Sequence, residues 1–250
     1  MKSAAAHLGN RTRVATWLLL LAALGVRVQP AHAQLQGQVP IPPRQPEKQK
    51  RSKIRSGDLE WLWQYSPPPQ DGRENDLIQD PHFRPFLEQY FTAPQSFWGS
   101  TTLDPRDHRR KSLADTASDF LTIPGKVVAD DNRYVTITGH VFHFAPGRGL
   151  IFADLNTAHP LVLFAAIDWI RESHATSEPE AEYTLWVFPN QPPGTPSEPY
   201  RLPSAVLRSL TRWMAEPLAG SGIVQKITAA ILVDPDGTPH QIPVPSEGKQ

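Results

Sequence analysis

No cysteine occurs in the 250 residues, and methionine occurs only twice. The first absence removes disulfides, thiolate metal sites, a cysteine nucleophile and a lipidated cysteine from consideration. An exported chain without cysteines suits a bacterial periplasm or secretion, where a large enough core makes covalent staples unnecessary. Long apolar runs are scarce too. The best is residues 14–26 (VATWLLLLAALGV), which as a helix would span about 20 Å against roughly 30 Å of membrane hydrocarbon. No GxSxG, HExxH or Walker loop is present, so no standard nucleophile, zinc or nucleotide motif declares itself. We expect no cofactor, no catalytic residue and no metal ligand that the sequence alone could fix.

What is present begins with an address. Lys2, Arg11 and Arg13 precede the apolar run, and Ala31-His32-Ala33 supplies the small–x–small pattern ahead of Gln34. Residues 1–33 therefore read as a cleavable signal peptide, and the chain as periplasmic or secreted, with no transmembrane segment after cleavage. Retention of the run as an N-terminal anchor is the competing reading, disfavoured by its length.

The balance of 25 basic and 25 acidic residues conceals an asymmetry. Residues 34–56 carry six cations (Arg44, Lys48, Lys50, Arg51, Lys53, Arg55) against Glu47 alone, amid prolines and glutamines. Such a stretch has almost nothing to bury and reads as a disordered basic linker. An anionic envelope component is its natural partner, with a merely solvated arm as the bland reading. Residues 57–250 hold 15 basic and 24 acidic residues, a net of −9, which disfavours nucleic acid as a partner.

Residues 57–122 form a helical, aromatic- and proline-rich segment. In DPHFRPFLEQYF (80–91), Asp80 caps, Pro81 suits the first helical position, and Phe83, Phe86, Leu87 and Tyr90 recur at helical spacing. Another short helix is expected over 110–121. Trp61, Trp63 and Trp98 could offer a sugar-stacking platform, although packing onto the domain is the commoner use of such rings.

Residues 123–250 read as an α+β domain with a mostly antiparallel sheet, helices on one face and the order β-β-β-α-β-α-β-β. The first helix is placed at 160–173 (PLVLFAAIDWIRES). Val162, Leu163, Ala166, Ile167, Trp169 and Ile170 share one helical face there, but Leu161 and Phe164 fall on the polar side. The second main helix, 204–216, aligns Val206, Leu207, Leu210, Trp213 and Met214. Arg201, Arg208 and Arg212 could make a basic strip beside them. GIVQKITAAILVDPDGTPHQIPV (222–244) reads as strand, tight turn, strand. Over those residues it resembles the C-terminal domain of TonB-type energy transducers; the resemblance implies a terminal hairpin and is not extended to an activity.

Chemistry concentrates in TITGHVFHFAPGRGLIFADLN (136–156). His140 and His143 lie three apart, so in a strand they face opposite ways and cannot share a metal. With the turn placed at Ala145–Gly149, strand partners sum to 294, and His140 falls opposite Asp154. A carboxylate fixing an imidazole tautomer is a usable acid–base unit, or a modest ion pair. His140, Asp154, Asn156 and His159 are thus the candidate binding residues. The leading expectation is a non-catalytic binding or envelope-interaction module. The alternative is a periplasmic hydrolase or metal-dependent enzyme built on His140 and Asp154.

Overall fold

Every strand of the sheet lies beside its neighbours in sequence. A computed structural model describes residues 59–65, 73–94, 111–155 and 158–246. The signal reading over 1–33, the basic linker over 34–56, Trp98 and Asn156 lie outside the described residues. Seven strands run in the order β1-β2-β3-β4-β5-β6-β7. They are β1 (Ile123–Asp130), β2 (Tyr134–Val141), β3 (Phe144–Asp154), β4 (Val162–Trp169), β5 (Glu182–Pro189), β6 (Lys226–Val233) and β7 (Pro239–Ile242). All pairings are antiparallel except β5–β6, which is parallel. A parallel neighbour needs a crossover, and helix α4 (Ser204–Met214) occurs in that connection. A 3-10 helix (Glu60–Tyr65), α1 (Arg73–Gln79), α2 (Phe83–Tyr90) and α3 (Leu113–Phe120) precede the sheet. The class is α+β.

The helix expected over 160–173 is instead β4, which changes the order to five consecutive strands, a helix and two strands. The cause is burial on both faces. Val162, Phe164 and Ala166 enter one core with α1–α3, while Leu163, Ala165 and Ile167 enter a second core with α4. A strand covered on both sides shows no polar alternation, and its apolar run mimics a buried helix. The misfit of Phe164 on the helical reading was the warning. It is fully buried and lies 5.8–6.0 Å, ring to ring, from Phe91, Phe120 and Phe188.

Helices consequently cover both faces rather than one. α2 presents Phe83, Phe86, Leu87 and Tyr90 to the first core, and α3 adds Leu113, Ala114, Ala117 and Phe120. Pro85 stays within the first turn of α2, where its missing N–H has no helical acceptor to lose. Ser112 caps α3 by accepting the Asp115 amide at 3.0 Å.

The turns follow their chemistry. Asp131 and Asn132 adopt φ of 55° and 48° between β1 and β2, a region that Asn and Asp tolerate best after glycine. Gly237 (φ 92°) closes the β6–β7 hairpin, where the Asp234 amide donates to Thr238 O at 2.9 Å.

Candidate functional site

The stretch 136–156 folds as β2, a two-residue turn at Phe142-His143, and β3. His143 supplies the left-handed residue of that turn, with φ of 60°. Gly147-Arg148-Gly149 is not the turn; it lies inside β3. Strand partners therefore sum to 288, with His140 opposite Arg148 and Tyr134 opposite Asp154. Six residues of strand now separate the levels of His140 and Asp154, on the order of 20 Å. The proposed cross-strand pair does not form.

Asp154 has a different partner. Arg133 grips it with two hydrogen bonds, Nε to Oδ1 at 2.8 Å and Nη2 to Oδ2 at 2.7 Å. This bidentate clamp draws the Arg133 guanidinium pKa further up and ties the β1–β2 turn to the end of β3. His159 is exposed, and its carbonyl accepts from Gln191 Nε2 at 3.2 Å. So of the four candidates, His140, Asp154 and His159 occupy separate places, and Asn156 lies outside the described residues.

The glycines beside Arg148 solve a packing problem. Gly139 and Gly149 pair across β2 and β3, and a Cβ on Gly149 would stand 2.7 Å from Phe120 Cβ. A Cβ on Gly139 would meet Leu121 Cα at 2.9 Å. The notch lets the end of α3 seat directly on the sheet.

Arg148 points to the opposite face, where it is buried beneath the end of α4. Its Nη2 donates to Trp213 O at 2.6 Å, and its Nη1 to Glu216 O at 2.9 Å and to Gln225 Oε1 at 3.4 Å. The guanidinium also stands over the Trp213 ring at 5.1 Å, with the Glu216 carboxylate 3.8 Å away. A cation here gives the carbonyls at the helix end a charged donor and opposes the negative end of the helix dipole. Burial pulls the Arg148 pKa down, and Glu216 restores part of it.

His140 stands over a cleft of about 280 Å³ with Arg148, Thr138, Trp213, Glu216 and Leu218. Burial, then the Arg148 charge, lowers its pKa, so the ring is neutral near pH 7. It holds no carboxylate and faces a guanidinium already committed to carbonyls. The arrangement offers a hydrogen-bond acceptor, not an acid–base dyad. Among the described residues no group of three or more His, Asp or Glu side chains could hold a metal ion.

In the arginine strip, Arg208 and Arg212 are spent on the fold, and Arg201 makes a local exposed pair. Arg212 clamps Asp130 at 2.7 and 3.2 Å, Arg208 meets Asp131 at 2.6 Å, and Arg201 meets Glu198 at 2.8 Å. The first two fasten α4 to the β1–β2 turn. Trp61 packs with its neighbours, 5.8 Å from His82 and 6.0 Å from Phe86, and Trp63 packs partly buried against the same core.

Three features were not legible as motifs. Asp80 accepts the Tyr65 hydroxyl, the His82 amide at 2.7 Å and His82 Nδ1 at 2.8 Å. Burial and Asp80 push Tyr65 up to about 12. Burial alone would raise Asp80, but these hydrogen bonds outweigh it and lower its pKa. This knot joins the 3-10 helix to the start of α2. At the other end of the sheet, His240 Nε2 lies 2.9 Å from Asp234 Oδ2, and its ring stacks on Tyr200 at 3.8 Å. Tyr200 in turn walls a groove of about 360 Å³, whose apolar lining includes Leu202, Leu207, Ile242 and Val244.

No protein-family model, curated protein or solved structure matches the chain. The functional reading therefore rests on the sites themselves.

Proposed function

We propose that this chain is an exported, non-catalytic binding module of the bacterial envelope, directed to the periplasm or outside by residues 1–33. The observation that carries the reading is the groove beside α4. Its volume of about 360 Å³ falls within the range of ligand pockets, roughly 300–1,000 Å³, and apolar residues dominate its walls. Support also comes from how the reactive side chains are used. Asp154, Arg148, Arg208 and Arg212 each hold one part of the fold to another. Residues 34–56, with six cations against one anion, favour an anionic envelope component as a second partner.

Native mass spectrometry of the protein recovered from its producing cells tests the reading. A non-covalent adduct of one molecule per chain, left chemically unchanged on incubation, is expected. A bare mass together with turnover of an ester, amide or phosphate substrate would overturn it.

A further inference from the structure

The groove lies between the N-terminal half of α4 and the segment that follows β7. Tyr200, Leu202 and Leu207 form one wall, and Ile242, Pro243 and Val244 the other. Arg201 is the sole charged residue lining it among the described residues. Among the described residues it pairs with Glu198 alone, at 2.8 Å, in a pair more than half exposed on both sides. Exposed pairs of that kind hold little energy and exchange readily for another anion.

The opposite wall rules on the shape of the occupant. β7 has four residues, begins at Pro239 and is followed by Pro243 and Pro245. Prolines at 239, 243 and 245 remove amides from this edge, which disfavours strand addition by a peptide or a second copy. A compact ligand without a backbone ladder remains. Its body must be apolar to suit the walls, and its one charge must be negative to suit Arg201 within a domain otherwise net acidic.

We infer that the groove between α4 and the post-β7 segment binds an amphiphilic monocarboxylate, with its hydrocarbon body against Leu207, Ile242 and Val244 and its carboxylate on Arg201. This rests on the binding-module reading and names the ligand class for it. Tyr200, held flat by its stack on His240, sets one side of the slot. Glu198 is the group the ligand displaces. A longer or branched body is limited by the groove's volume, and a second charge has no partner inside it among the described residues.

Isothermal titration calorimetry of the delipidated full chain with decanoate, decan-1-ol and acetate provides the test. Decanoate should bind at one per chain and acetate should not bind. Arg201→Gln should weaken decanoate by about tenfold, as for one lost charge-assisted hydrogen bond, and leave decan-1-ol within twofold. Val244→Trp should abolish binding of both at an unchanged unfolding midpoint. Absence of decanoate binding, binding insensitive to Val244→Trp, or equal binding of acetate would overturn the inference. So would a concentration-dependent dimer that Val244→Trp dissolves. If decanoate fails while the cell-derived protein still carries another molecule, this inference falls and the binding-module reading stands. If no molecule is carried and a substrate turns over, both fall.

Discussion

Arg148 on β3 donates to the carbonyl of Trp213 on α4 at 2.6 Å, so a buried cation joins the sheet to the helix that crosses over it. The same guanidinium reaches Glu216 O and Gln225 Oε1, and Gln225 returns a bond to Pro146 O at 2.8 Å. A polar chain thus runs from β3 through the end of α4 and back. The Gly-Arg-Gly step, expected as a turn, instead carries a structural tie within β3.

Arg148→Met should therefore cost stability, roughly 2–4 kcal/mol, because it removes the charged donor shared by Trp213 O, Glu216 O and Gln225 Oε1. Urea unfolding at pH 7 measures this directly. Arg148→Lys should recover part of the loss, since an ammonium keeps the charge but not the planar fork. Equal stability of wild type and Arg148→Met would remove the proposed tie.

His140 gives the fold a sensitivity to acid. Its folded pKa lies below the usual 6.5, because burial and then Arg148 oppose the charged ring. As pH falls through about 6.5, the unfolded chain takes up this proton first, so native stability declines toward the folded value. Above pH 7 the contribution vanishes. Unfolding midpoints measured from pH 7.5 to 5 should fall less steeply for His140→Gln than for wild type. Parallel slopes would show that the ring titrates normally.

Asp168, near the end of β4, works the other way. Burial raises its carboxyl pKa, with the Trp169 amide and Arg171 opposing that rise. The folded state then holds this proton more tightly than the unfolded one, so the Asp168 contribution to stability is fully present below pH 3.8 and is lost as pH rises through that shifted range. Asp168→Asn keeps an acceptor for the Trp169 amide, which is 3.0 Å from Asp168 Oδ1. It should raise Tm at pH 7 by about 2–4 °C, which corresponds to about 1 kcal/mol in a domain of this size. The gain should shrink toward pH 3.5, and a lowered Tm at pH 7 would contradict the sign.

Removal of residues 34–56 tests the proposed second partner. The shortened chain should unfold at the same temperature as the parent and sediment less with anionic vesicles at low salt. The difference should fade at 0.5 M salt, where charges are screened within about 4–5 Å. Undiminished sedimentation would remove the role assigned to the arm.

Much of the fold was legible because its local signals agree. The Asp-Pro-Asp-Gly hairpin and the helices around Phe83–Tyr90 and Ser204–Met214 each carry their own chemistry and spacing. β4 was not legible, because a strand buried on both faces loses the alternation that marks a strand. The β2–β3 register failed for a narrower reason. Sums of 294 and 288 have the same parity, so both place Ile137, Ile151 and Ala153 on one face and Leu150 and Phe152 on the other. Hydrophobic pattern fixes the face, whereas the turn fixes the offset. Proline and two glycines drew the turn to 145–149, but His143 takes the left-handed conformation instead. The groove was invisible because its walls come from residues about forty positions apart, with most of α4, β6 and β7 between them.

The account assigns the residues around His140 to the fold and ligand binding to the groove beside α4. The most direct measurement compares two full-length variants, His140→Ala and Val244→Trp, for retention of the cell-derived molecule by native mass spectrometry. The account predicts that His140→Ala keeps the adduct and Val244→Trp loses it while remaining folded. Loss of the adduct in His140→Ala, with retention in Val244→Trp, would contradict it.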